Sequence, residues 1–201
     1  MIKLSKRSHY PTYDVMKEKD EWDNHTQQIV SNRLHPTTSY SFLTQEESTI
    51  LQTICKQLTG DERESLILYI LDHIDQTLSS PIGEGQRKVG MPKAKELIRL
   101  GLEALEQTSQ EKYQISFVQL DKKTQLLLLN QLSNEQALTS KWNFVPQREL
   151  FKKLLTLTLE AYYSHPLVWS EIGYGGPAYP RGYVRTQLGQ LDPWEAQPED
   201  E

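Results

Sequence analysis

Between residues 45 and 163 the apolar side chains recur three and four positions apart, with no segment showing the period of two that a half-buried strand requires. A chain patterned this way has to build its core by packing helix on helix. Ile50, Leu51, Ile54, Cys55 and Leu58 form one apolar face. Leu66, Ile70, Ile74 and Leu78, widened by Ile67 and Leu71, form a second, and Ala94, Leu97, Ile98, Gly101, Leu102 and Leu105 a third. A fourth helix is predicted from Lys122 through Leu126 to Leu132. The longest pattern, Leu150, Phe151, Leu154, Leu155, Thr158, Leu159 and Tyr162, predicts a central core helix over about 146–163.

Local chemistry sets the boundaries. Thr44 and Glu47 have the spacing of a capping box, so the first of these helices starts after Thr44 and runs to about Leu58. Gly60 suits a C-terminal cap, and Asp61 a new N-terminal one. Pro81, Gly83, Gly85 and Gly90 mark a loop over 79–90, and Pro92 suits a first helical turn. Ile115, Phe117, Val118 and Leu120 alternate poorly and read as a lead-in to a helix capped by Asp121; a polar turn follows over 133–140. Residues 1–41 form a polar arm, broken at Pro11, His35-Pro36 and 37–41. One helix with a thin apolar stripe (Trp22, Thr26, Ile29, Val30, Arg33) is predicted within it, over about 19–33. The expected class is all-α: a compact, irregular bundle of five or six helices. It divides into the arm 1–41, a helical domain 42–185 and an acidic tail 186–201. A chain of 201 residues buries one core of ordinary size.

A net charge of -5 leaves no basic excess to displace counterions from a phosphate backbone, which argues against nucleic acid as a partner. Cys55 is the only cysteine and lies on an apolar face, while His9, His25, His35, His73 and His165 are scattered singly, so no metal site is predicted. Acids such as Glu62 with Glu64, or Asp20 and Glu21 with Asp23, sit in solvated polar runs. No apolar run approaches the roughly 20 residues that span a bilayer, so no direct membrane insertion is expected. Lys3, Lys6 and Arg7 are followed by 8–14 without an apolar core for a secretion signal. The expected location is the cytoplasm by the chain's own sequence, with membrane association, or export, only through a partner.

At Ser164 the texture changes. Pro166, Pro177 and Pro180 fix the backbone, Gly173, Gly175, Gly176 and Gly182 allow positive φ, and Trp169, Tyr174, Tyr179 and Tyr183 supply large amphipathic rings. The composition predicts an ordered loop, either docked on another protein or folded back on the chain's own helices. On the docking reading, the partner-binding residues are Trp169, Glu171, Tyr174, Tyr179, Arg181, Tyr183 and Arg185, of types enriched at interface hot spots. Gly173-Tyr174-Gly175-Gly176 lacks the strand before it and the helix after it that a phosphate loop needs. No catalytic, cofactor-binding or metal-binding residue is predicted on this chain. The alternatives are a stand-alone, self-associating helical interaction module, or an independent enzyme using His165, Glu171 and Arg181.

The stretch from His165 through Trp169, Gly173-Tyr174-Gly175-Gly176-Pro177 and Tyr179-Pro180-Arg181-Gly182 to Tyr183 resembles the C-terminal signature of the gluconate 2-dehydrogenase subunit 3 family. Phe42-Leu43-Thr44 with Glu46, Gly83-Glu84-Gly85 and Tyr162-Tyr163 are similar to further landmarks in the same order, so the resemblance covers roughly 42–185. It implies a small accessory subunit without a cofactor of its own. Such subunits accompany an FAD-containing large subunit of the glucose-methanol-choline oxidoreductase type, often with a cytochrome subunit, and support its maturation in a chaperone-like way. Many such subunits carry a twin-arginine signal; Lys6-Arg7 departs from that pattern.

Overall fold

The computed structural model describes residues 8–80, 82, 87–136, 142–143 and 145–197. The predicted positions Lys3, Lys6, Arg7, Pro81, Gly83, Glu84 and Gly85, the end of the polar turn at 137–140 and the last residues of the tail lie outside them. The class is all-α, and no strand occurs among the described residues. Seven α-helices are present there: α1 (Asn24–Asn32), α2 (Gln45–Thr59), α3 (Glu64–Ser79), α4 (Ala94–Tyr113), α5 (Lys122–Ser133), α6 (Gln147–Tyr162) and α7 (Pro166–Ile172). Short 3-10 helices occupy Val15–Glu21 and Phe117–Gln119. The chain sorts into two compact units. A central one spans Thr37–Ala161, and a terminal one combines the chain up to Pro36 with the chain from Tyr162 onward. The boundaries drawn from the sequence, at 41/42 and 185/186, separate arm, domain and tail differently.

The central unit is a bundle of α2 to α6 around Leu51, Ile54, Ile67, Ile70, Ile98, Leu102, Phe117, Leu132, Leu150 and Leu154, all fully or almost fully buried. The capping box forms as its spacing predicts: Thr44 Oγ1 accepts from Glu47 N at 3.1 Å, and Glu47 Oε2 accepts from Thr44 N at 2.8 Å. Gly60 closes α2. Asp61 does not cap α3. Its carboxylate accepts from Arg63 N and pairs with the Arg63 guanidinium, and the helix starts one residue after Arg63 without a side-chain cap. The third helix begins at Ala94 rather than at Pro92, with its six predicted core positions buried. Gly101 is one of them because a Cβ there would run into the Leu150 side chain of α6. Asp121 caps α5 through Lys123 N and Thr124 N. Buried Gln125 then ties the lead-in down by donating to Phe117 O at 3.1 Å and Leu120 O at 2.9 Å.

A feature the apolar pattern does not flag holds the start of this unit. Asp75, on the buried face of α3 and 3% exposed, accepts from Ser41 N, Phe42 N and Leu43 N at 2.8–2.9 Å. Asp72, one turn earlier, accepts from Thr37 N at 3.1 Å. Two carboxylates thus serve as the hydrogen-bond partners of the strap 37–43, whose amides lie outside any helix.

Candidate functional site

The aromatic and glycine segment belongs to the terminal unit, whose shape begins with the polar arm. In place of one helix over 19–33, the arm forms the 3-10 helix Val15–Glu21, capped by Asp14, and then α1, capped by Asp23 through His25 N and Thr26 N. Asp23 breaks the predicted helix because its side chain satisfies the first free amides of a new one. Val15, Trp22 and Val30 turn inward as predicted for the last two, whereas Ile29 stays exposed.

What they pack on is Trp169. The residues 166–172, predicted as loop, form the short helix α7, with His165 as N-cap and Pro166 in the first turn, where its missing N–H costs nothing. Trp169 is 6% exposed and shares one apolar cluster with Val15, Trp22 and Val30. Its indole N–H donates to Tyr163 O at 2.6 Å, the Arg33 guanidinium lies 5.3 Å from its ring centre, and Tyr174 meets it edge-on at 5.3 Å. Val15 N donates to Ser170 Oγ at 3.1 Å, and Ser8 Oγ to Glu171 O at 2.8 Å, which fastens the arm along α7.

Three of the segment's four glycines, Gly173, Gly175 and Gly176, are covered, whereas Gly182 is exposed with nothing within 4 Å of the place a Cβ would take. A Cβ on Gly173, which ends α7 at φ 73°, would meet the Tyr10 ring at 2.5 Å. One on Gly176, at φ 78°, would meet Trp22 at 2.6 Å, and one on Gly175 would meet Trp194 at 2.9 Å. Rings from the arm and from the chain end therefore occupy the space that side chains at these positions would need.

Arg181 stacks 4.5 Å from the Trp194 ring centre and donates through Nη2 to Gly175 O, while its Nε and Nη1 are buried without a hydrogen-bond partner. Burial pushes its guanidinium below the ordinary arginine range. Tyr13 Oη donates to Trp194 O at 2.8 Å; burial first, then the charge on Glu18, pushes this phenol up to about 12. The tail predicted as simply acidic folds in. Asp192 is fully buried, and its Oδ1 accepts from Val184 N at 2.8 Å and Arg185 N at 2.7 Å. The sequence does not single out Asp192 or Trp194, because nothing in an acidic, proline-bearing segment distinguishes a buried aspartate from a solvated one.

The predicted partner-binding residues therefore divide. Trp169 is inside, and Arg181 is braced against Trp194 and Gly175. Glu171 is half-buried. Arg185 reaches Glu195 at 3.4 Å and lies 5.4 Å from the Tyr183 ring centre. Tyr174, Tyr179 and Tyr183 remain 44%, 71% and 66% exposed. Burial first, then Tyr183, raises the Tyr174 phenol above the ordinary tyrosine range. His165 is buried, and its Nδ1 accepts from Leu167 N at 3.2 Å, the capping role that its place before Pro166 suggests. Among the described residues no group of three or more His, Cys, Asp or Glu side chains is placed to hold a metal ion, and no helix is long and apolar enough to cross a membrane.

No curated protein and no solved structure matches the chain. The family model described as gluconate 2-dehydrogenase subunit 3 matches residues 20–176. That span starts in the 3-10 helix of the arm, earlier than the resemblance at 42, and ends at Gly176, the glycine packed against Trp22. The chain belongs to the gluconate 2-dehydrogenase subunit 3 family.

Proposed function

We propose that this chain is the non-catalytic small subunit of a flavin-dependent sugar or sugar-acid dehydrogenase, and that it supports assembly of the FAD-bearing large subunit, a flavoprotein of the glucose-methanol-choline type. One observation carries the docking surface. Tyr174, Tyr179 and Tyr183 stand out on a segment whose backbone is pinned from beneath by Trp169, Arg181 and Asp192. Rigid tyrosines bind with little loss of side-chain freedom, and exposed apolar surface held in one conformation is what an interface needs in advance. Glu171 and Arg185 flank them as polar rim. Trp169 and Arg181 act through the positions of the tyrosines, not by contact. FAD, and a cytochrome subunit where one is present, belong to the partners on this reading.

Co-expression with the flavoprotein large subunit tests it. The double variant Tyr179→Ala/Tyr183→Ala should fold as the parent does and lose about 2 kcal/mol or more of assembly free energy, if these rings are hot spots. Undiminished co-purification of the double variant removes the tyrosine surface. A large subunit that loads flavin and turns over equally well without this chain removes the accessory role itself.

A further inference from the structure

Among the described residues a half-open groove of about 850 Å³ lies within the central unit, away from the aromatic segment, bordered by α2, α4 and the 3-10 turn Phe117–Gln119. Ile50, Leu102 and Val118 contribute apolar lining. Among the described lining residues the rim carries Glu46, Glu47, Glu103 and Glu106 against one cation, Arg99.

Not all of these acids are free. Glu47 is committed to the capping box and to Arg99, at 3.1 Å, and Arg99 also donates to Phe42 O at 2.7 Å. Glu106 accepts from Ser116 Oγ and Phe117 N at 3.0–3.1 Å. Among the described residues the Glu46 side chain makes no ion pair or hydrogen bond, and the Glu103 side chain only accepts from Gln107 Nε2 at 2.9 Å, which leaves two exposed charges on the rim. Gln107 Oε1, also in the lining, is buried without a donor. The N-terminus of α2 borders the groove and by itself favours an anion. Two carboxylates in its first turn, Glu46 and Glu47, reverse that sign.

An apolar cleft with an acidic rim and a spare buried acceptor is complementary to one kind of occupant. We infer that this groove docks a basic segment of a partner polypeptide, an apolar side chain entering between α2 and α4 with lysine or arginine on either side. Charge complementarity of this sort steers encounter and selects against acidic segments more than it adds affinity. The size is within the range of sites that hold a few side chains. The inference uses none of the terminal unit's tyrosines, so it stands or falls apart from the proposed function.

Fluorescence anisotropy of the full chain tests it with three short labelled peptides, of lysine and leucine, of glutamate and leucine, and of lysine and serine. The lysine–leucine peptide should bind saturably and the other two should not. Glu46→Gln/Glu103→Gln should weaken that binding about tenfold, and Thr49→Arg, which brings a competing cation into the groove, should abolish it. Glu64→Gln/Glu160→Gln removes two exposed charges elsewhere and should leave it unchanged. Equal binding of the lysine–serine peptide reduces the effect to a counterion cloud and overturns the proposal, as does equal loss in both double variants or no binding of the lysine–leucine peptide.

Discussion

Asp75 shows how much a single buried carboxylate can organise. Its two oxygens satisfy three consecutive backbone amides of the strap that enters the central unit, at 2.8–2.9 Å. Asp75→Ala would strand those donors, and urea unfolding should report a loss of about 3 kcal/mol; Asp75→Asn, which keeps one acceptor, should lose less. Equal losses in the two variants would assign the effect to packing. Tyr13 makes a residue-scale prediction of the opposite kind, because its phenol is raised to about 12 by burial and by Glu18. A folded-state value above the ordinary one near 10 means that the Tyr13 contribution is complete below about pH 10 and disappears as pH climbs from there toward 12. Tyr13→Phe should remove that part of the alkaline destabilisation, at the cost of about 1 kcal/mol at neutral pH for the lost bond to Trp194 O. An alkaline limb identical in parent and variant would refute it.

At the scale of elements, α7 and the glycines after it act as one piece. Seven residues are too few for a helix to persist by propensity, and α7 is held by its cap, its proline and the packing of Trp169. Gly176→Ala combines a left-handed φ with a collision against Trp22, and should cost about 3 kcal/mol. Loss of near-ultraviolet tryptophan dichroism in the variant would report it, and an unperturbed spectrum would rule it out. The sequence shows the apolar stripes of α2 to α6 because each is long enough for the helical period to repeat. It does not show α7, where about two turns of helix are outweighed to the eye by the prolines and glycines around them. Nor does periodicity locate the break at Asp23, since one cap can split a continuous stripe. Asp72 and Asp75 left a trace, two acids one turn apart beside Ile74 on an apolar face, but apolar counting passes over them.

For the molecule as a whole, the last described residues are part of the structure rather than an appendage. Ending the chain after Thr186 removes Asp192 and Trp194, and the amides of Val184 and Arg185 lose their acceptor. Hydrogen exchange at those two amides should then approach the unprotected rate; unchanged protection would show that Asp192 does not order them. The all-α class, the helices of the central unit and the family signature follow from the sequence alone, because repeated spacing, caps and a run of glycine, proline and aromatic residues are local properties. Which rings of the C-terminal segment face inward is not local. Trp169 and Tyr179 are both large aromatics on a proline-braced segment, and the packing of Val15 and Trp22 on the first, against the 71% exposure of the second, separates a buried brace from an exposed contact. Tertiary structure decided that, since burial depends on residues more than a hundred positions away in the chain.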